Sequence, residues 1–456
     1  MTAPEPDVDV IVVGAGGGGL TAALAAHDAG ASVVVLEKAE QAGGNTALST
    51  GSVPGAGTRF QAAAGIDDSP ERLAADLLAQ SGSHDADDLA RLLAAGSAGL
   101  VEWLIDTHGI DLRLITDYKH VGHSVPRLHA PPSRKGRDLV ADLLRAVRAT
   151  GTEVLTHSPV DALLHNGTRV HGVRVSGPRS GTYDITSHAV ILAGNGFAAN
   201  RDLLHQWAPA IAGFEYFGSP GSTGESLRWA LALGARLGNT AAYQGYAAVA
   251  YPHGSITSWT TVEMGGLLIN GTGHRFGDES HGYSGFADAV LATPAPWHVV
   301  FDTTIRDYVA GHEEEFADLV AMGGARECAD VESLAAFCGA PIASLTETLA
   351  AAAVVASGDD KDEFGRTEWG FGPLRAPYVA VRSVPGLFHT QGGLLVDGQA
   401  RPVTDSGFVE GLYAVGGVAA GISGATGGGG YSSGNGLLSA LGLGRIAGTH
   451  GGSVRG

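Results

Sequence analysis

Three glycines and one acid carry the first chemical signal in this chain. Gly14, Gly16 and Gly19 follow the apolar run VDVIVV, and Glu37 closes a second apolar run, SVVVL. Glycine at this spacing lets the backbone turn tightly at Gly14, approach a pyrophosphate at Gly16 and pack a helix against a strand at Gly19. The free N–H groups of that helix start would face the phosphates. The carboxylate of Glu37 stands where it would accept the hydroxyls of an adenosine ribose. Among 70 glycines a bare GxGxxG means little. Its order of strand, turn, helix, strand and acid within about 30 residues is what makes it specific.

The elements that must position these residues follow from local pattern. VDVIVV and SVVVL, rich in β-branched residues, predict buried parallel strands, and LTAALAAHDAG predicts a helix ending at Gly30. The small-residue loop from Lys38 through Gly43, Gly44, Asn45 and Thr46 to Gly51 can wrap a phosphate and a ribityl chain with backbone N–H groups. Residues 68–108 read as helical. The polar, Pro-rich stretch 119–136, with His120, His123, Arg127 and His129, reads as a long loop. No acidic or cysteine cluster accompanies those histidines, so a solvated or site-lining loop outranks a metal site, and no metal is expected. A helix from Lys135 and strands at Glu153 to His157 and Val170 to Val175 lead to a second apolar strand, AVIL. That strand ends on Ala193, Gly194 and Gly196, where the backbone could again meet a dinucleotide. Residues 241–384 change character, with more aromatics and a helical interior, and read as an inserted domain between pieces 1–240 and 385–456. The last piece holds His389, the turn at Gly416 and Gly417, a glycine tract over 424–436 and a final helix.

Composition narrows the class. Apolar residues make up 44% of the chain and charged residues 16%, ordinary for a globular protein. A formal net charge of −19 argues against nucleic acid or an anionic membrane as partner. The N-terminal stretch has no signal-peptide pattern, and no run reaches the roughly 18 apolar residues of a membrane span. The expectation is a cytoplasmic, reduced protein. Cys328 and Cys338 form no CxxC and read as small buried apolar residues.

The motifs VIVVGAGGGGLTAALAAHDAGASVVVLEK, GGNTALSTG, AVILAGNGF, HTQGGLLVD and GLYAVGGVAAG…GNGLLSALGLGRIAG stand in this order along nearly the whole chain. In this they resemble one flavoprotein superfamily, which holds the flavoprotein subunits of fumarate reductase and succinate dehydrogenase and the 3-ketosteroid dehydrogenases. The resemblance implies an α/β fold: a Rossmann-type FAD-binding domain in discontinuous pieces, with an inserted α+β capping domain that closes substrate against the flavin. It implies FAD as cofactor, and adds Val160, Ala193, Gly194, Gly416, Gly434, Asn435, Leu437 and Leu438 to the cofactor-binding residues. Members with covalent FAD carry a histidine just before the Thr46 position. Asn45 stands here, so non-covalent FAD is expected. Many relatives have an acid where this chain has Gly417, which removes one ribityl contact.

The resemblance also discriminates between chemistries. The dicarboxylate branch holds its dianionic substrate with two arginines, one a few residues after a G-x-R-F-x-x-E segment and one just before the last helix. The segment here runs Gly273-His-Arg275-Phe276-Gly-Asp278-Glu279, and the two arginine positions hold Tyr283 and Tyr431. Tyrosines at these places look like the ketosteroid dehydrogenase branch, of the Δ4-(5α) or Δ1 kind. There one tyrosine takes the α-proton of a ketone and another holds the ketone oxygen, as an enolate needs aligned donors. The expected roles are Tyr283 as base or acid, Tyr431 as oxygen donor and Ser433 as helper. His389 belongs to the dicarboxylate pattern and leaves two readings: contact with an acidic or second carbonyl group of the substrate, or a structural hydrogen bond. Arg127 and His123 are expected at the substrate mouth, Arg275 and Glu279 as a structural pair, and Tyr243 and Tyr246 as packing residues.

The resulting expectation is an FAD-dependent desaturase of a cyclic ketone, 3-ketosteroids leading. A smaller oxocyclohexane or oxocyclohexane carboxylate, or the reverse ene-reduction, are the alternatives. A fumarate reductase and a non-catalytic FAD-binding protein rank lower. With no haem-attachment motif or flavin carrier domain in the sequence, an electron acceptor outside the chain is expected, its identity open.

Overall fold

The computed structural model describes residues 5–116, 120–177 and 181–454. It divides into two compact units, one of residues 1–243 with 389–456 and one of residues 244–388. The divisions fall inside two strands, Ala241–Ala250 and Tyr378–Thr390.

In the first unit, β1 (Val8–Val13) and β2 (Val33–Leu36) lie parallel, with Val10 beside Val33 and Val13 beside Leu36. Helix α1 (Gly17–Asp28) crosses between them. β1 is covered on both faces, and Val10, Ile11 and Val12 are fully buried, as a continuous apolar run in a parallel sheet requires. Glu153–Leu155 extends this sheet beyond β2, Gly181–Leu192 pairs on the other side of β1, and Leu412–Ala414 pairs with Gly181–Leu192. The strand Gly181–Leu192 serves two sheets. Its alternating first half pairs antiparallel with Val170–Gly177, while its apolar second half, from Ser187, joins the parallel sheet. Change of pattern along one strand thus marks the change of sheet.

The last helix, Asn435–Ser453, packs on α1 through glycines four residues apart. A Cβ at Gly444, Gly448 or Gly452 would fall 2.5, 2.2 or 2.9 Å from the carbonyl oxygens of Gly18, Ala22 and Ala26. The two backbones meet because nothing projects between them.

The second unit is built on an antiparallel sheet. Leu267–Asn270, Trp297–Asp302 and Tyr378–Thr390 pair in that order, and Arg326–Cys328 pairs with Tyr378–Thr390. Helices Val331–Cys338 and Ile342–Ala356 supply Leu334, Ala335, Cys338 and Leu345 to a core shared with Cys328. Both cysteines are free and buried. No single helix is long and apolar enough to cross a membrane; these two helices meet the length and composition only as a pair bent by 117°.

One reading of the elements needs correction. Pro70–Ser81 and Asp87–Asp106 are helices as expected. The stretch 119–136 is not loop throughout: Leu128–Ala130 is a buried strand between Val53–Pro54 and Arg113–Leu114. Residue 119 lies outside the described residues. The apolar Leu128 and Ala130 flank His129, and backbone pairing with partners distant in sequence outweighs the local Pro-rich composition.

Candidate active site

The glycine turn is shaped by contacts that only glycine permits. Gly14 has φ 108°, and a Cβ there would sit 2.6 Å from the Ala193 carbonyl oxygen. At Gly19 a Cβ would lie 1.9 Å from the Gly14 carbonyl oxygen. At Gly16 the nearest atom would be 3.7 Å away, so space opens at the start of α1. The N-cap residue Gly16 has no side chain and no acid lies in the first turn of α1, which leaves the N–H groups after that of Gly17 and the positive end of the dipole for an anion. Glu37 accepts N–H bonds from Ala15 and Ala39, each at 2.8 Å. It therefore fixes the turn. Thr46 Oγ1 accepts the Gly17 N–H at 3.1 Å.

The neighbouring loop is tied to a segment the sequence does not single out. Asn45 Oδ1 accepts the Ser219 N–H at 2.6 Å, and Tyr216 donates its hydroxyl to Ser222 at 2.9 Å. Lys38 reaches Thr223 and Glu225 at 2.8 and 2.9 Å, so its ammonium is engaged by protein groups. Val160 opens a strand near the end of β2, where the Ser158 N–H reaches the Glu37 carbonyl at 2.9 Å. Gly416 turns with φ 60°, and Gly51 with φ 71°. A Cβ at Gly417 would fall 2.2 Å from Asn195 Oδ1. Asn195 takes the room a side chain at 417 would need. Gly194 is held as closely, its Cβ position being 2.6 Å from Ser226 Oγ.

The second cluster precedes the last helix. Tyr431 and Ser433 are each 8% exposed, and Ser432 is fully buried. Gly434, φ 82°, starts the helix without a side-chain cap, and Leu437 and Leu438 anchor it in the core. Asn435 donates to Ser423 at 3.3 Å, but its Oδ1 and the Ser432 Oγ are buried with no hydrogen-bond partner among the described residues. His389 is half-buried beside this helix start. Its Nε2 lies 3.4 Å from the place a Cβ on Gly436 would take, and its Nδ1 bonds the Thr390 carbonyl at 3.0 Å. Desolvation lowers its pKa although that carbonyl bond opposes the shift. The Nδ1 side of the ring is thus taken by a backbone bond.

Arg127 does not line a mouth. It is 1% exposed and held by two carboxylates, Asp68 at 2.9 Å and Asp76 at 2.6 Å. A buried guanidinium without such partners would be prohibitive. His123, 6% exposed, bonds the Ser433 carbonyl at 2.8 Å. Asp68 and Asp76 went unremarked in the sequence because only the fold brings them to Arg127.

In the second unit, Tyr283 lies in the first turn of the helix Gly282–Leu291 and stacks on Tyr246, ring centroids 4.9 Å apart at 24°. Tyr246 stacks in turn on Phe388 and donates to the Thr257 carbonyl at 3.0 Å. Tyr246 is 4% exposed and, in the first unit, Tyr243 2%, both as packing residues. Arg275 forms a fork onto Glu279 at 3.0 and 2.6 Å and also pairs with Asp362. Among the described residues no group of three His, Cys, Asp or Glu could hold a metal ion.

Residues 9–433 match the family model described as an FAD binding domain, FAD_binding_2. The chain belongs to this FAD-binding family. NADH:fumarate oxidoreductase of Klebsiella pneumoniae (strain 342) is 30% identical over 422 residues, covering 91% of this chain and 45% of its own length. This chain thus spans less than half of that relative. 4-Oxocyclohexanecarboxylate 2-dehydrogenase of Sinomonas cyclohexanicum is 27% identical over 511 residues, 91% of this chain and 88% of the relative. The solved 3-ketosteroid-delta4-(5alpha)-dehydrogenase from Rhodococcus jostii RHA1, in complex with 4-androstene-3,17-dione, has TM-score 0.79 and 25% identity over 99% of this chain and 98% of that one. The fold is that of the fumarate reductase and ketosteroid dehydrogenase flavoproteins, and the protein is an FAD-dependent oxidoreductase. The residues present fit FAD: the open cradle at Gly16, the uncapped α1 start and the unpartnered Asn435 Oδ1 are groups a dinucleotide would satisfy.

Proposed function

We propose that this oxidoreductase introduces a C=C bond next to the carbonyl of a cyclic ketone, a 3-ketosteroid or a smaller oxocyclohexane. The observation that carries the reading is Tyr431, buried ahead of an uncapped helix start at a place where the dicarboxylate enzymes carry a guanidinium. A phenol can donate to a ketone oxygen but cannot balance a carboxylate. Burial lowers the pKa of His389, which disfavours a cationic ring there and points the same way. The 4-oxocyclohexanecarboxylate and ketosteroid dehydrogenases among the similar proteins support a ketone.

In this reading Tyr431 donates to the ketone oxygen and stabilises the negative charge that develops on it as the α-proton leaves. Tyr283, acting as its tyrosinate, is the base proposed for that proton, and Ser433 the proposed helper. Bound FAD supplies the acceptor for the hydride lost from the β carbon. The substrate so loses one proton and one hydride and gains the Cα=Cβ bond; the two electrons then pass to an external acceptor. Asn45 has no ring nitrogen to form a bond to the flavin and already holds the Ser219 N–H, which favours non-covalent FAD. The fumarate oxidoreductase among the relatives favours a second reading, the same site run as an ene-reductase.

Tyr431→Phe tests the assignment. FAD content should persist, while the rate of anaerobic flavin reduction by ketone falls by roughly 100- to 1,000-fold, as for loss of one oxyanion donor. An unchanged rate would remove Tyr431 from the chemistry.

A further inference from the structure

We infer that His123 and Arg127 are positioning residues that hold the Tyr431–Ser433 turn in its reactive geometry, an inference that rests on the ketone reading above. The argument is one of directed hydrogen bonds within the first unit. Arg127 donates from Nε and Nη2 to the two oxygens of Asp68, each at 2.9 Å, and from Nη1 to Asp76 at 2.6 Å. Its Nη1 also lies 3.2 Å from His123 Nδ1. A guanidinium has donors only, so His123 Nδ1 must accept and the ring proton must sit on Nε2. That proton is the one donated to the Ser433 carbonyl at 2.8 Å. Arginine therefore selects the tautomer that the clamp needs.

Ser433 is held from its other side as well, its N–H donating to the Val121 carbonyl at 3.0 Å. Gly122, between the two clamping residues, lies so close that a Cβ there would fall 2.2 Å from Ser432 Oγ. Asp76 is itself fixed: burial would raise its pKa, but bonds from Ser124 and Arg127 hold it below the usual carboxylate value. Burial brings His123 down to about 4, so the ring stays neutral through the ordinary pH range. Two carboxylates thus hold a guanidinium, the guanidinium orients an imidazole, and the imidazole holds one carbonyl, in the residue that follows Tyr431 by two. A site group must be held to about half an ångström, and a misplacement of about 1 Å costs on the order of 100-fold in rate.

His123→Gln and His123→Ala separate this role from mere structure. Glutamine can accept from Arg127 with Oε1 and donate to Ser433 with Nε2; alanine can do neither. Arg127 is left intact, because its removal would strand two buried carboxylates. Expected is a flavin-reduction rate at saturating ketone that falls about 10- to 100-fold in H123A. FAD content and ketone affinity should stay close to wild type, and H123Q should recover most of the rate. Hydrogen exchange over residues 429–436 should quicken in H123A and not in H123Q. If H123A does not accumulate as a flavoprotein, H123M takes its place in the comparison. A reducible wild type with H123A unimpaired, or with H123Q as slow as H123A, overturns the inference. A wild type that no ketone reduces, with the exchange difference intact, contradicts the ketone reading and keeps the clamp.

Discussion

Burial sets the ionisation of the histidines that shape this molecule. His123 and His129 in the first unit and His298 in the second are each at most 6% exposed, and desolvation brings each down to about 4. Folded, they are neutral; unfolded, they take up a proton near the ordinary pKa of about 6.5. Stability therefore falls as pH drops from about 6.5 towards 4, where the unfolded chain binds more protons, and this contribution is fully lost below 4. Carboxylates held low, such as Asp76 and Asp362, act in a separate window at still lower pH. Melting temperature followed by tryptophan fluorescence should decline between pH 7 and pH 4.5. A flat or rising profile would mean that these rings are charged in the fold. Residue type alone exposed the candidates at 123 and 129 but not their role. What makes His123 a clamp is Ser433, 310 positions away.

At the scale of elements, local pattern was enough where the contacts are local. The strand, glycine turn and helix over Val8–Asp28 were legible because Gly14 and Gly19 meet each other within one turn. The last helix was recognisable as a helix, but its glycines had no visible purpose. Their partners, Gly18, Ala22 and Ala26, lie at the other end of the chain. Asn195 is a similar case. It has φ 66° and fills the space beside Gly417, which explains the missing acid there by steric occupancy that no motif announces. The helix contact is directly testable. Gly→Ala in a helix interior is ordinarily stabilising by about 0.5–1 kcal/mol. At Gly448 the new methyl would fall 2.2 Å from the Ala22 carbonyl, so Gly448→Ala should instead destabilise by about 1–3 kcal/mol. Thermal denaturation reads the sign, and a raised melting temperature would show that the two helices separate at no cost.

At the scale of the whole molecule, family and cofactor were legible because the motifs span nearly the full chain; residues 9–433 match the FAD-binding family. Substrate was less so. Relatives of comparable similarity reduce fumarate or dehydrogenate an oxocyclohexane carboxylate, and in the reading proposed above the difference rests on a few side chains, Tyr283, Tyr431 and His389. A direct test is an anaerobic titration of the purified yellow protein. A saturated 3-ketosteroid, cyclohexanone, 4-oxocyclohexanecarboxylate and succinate would be added in turn while flavin absorbance is followed. Bleaching by a ketone and none by succinate is the predicted result. Bleaching by succinate, or no response to any ketone while the dithionite-reduced flavin is reoxidised by fumarate, would contradict it.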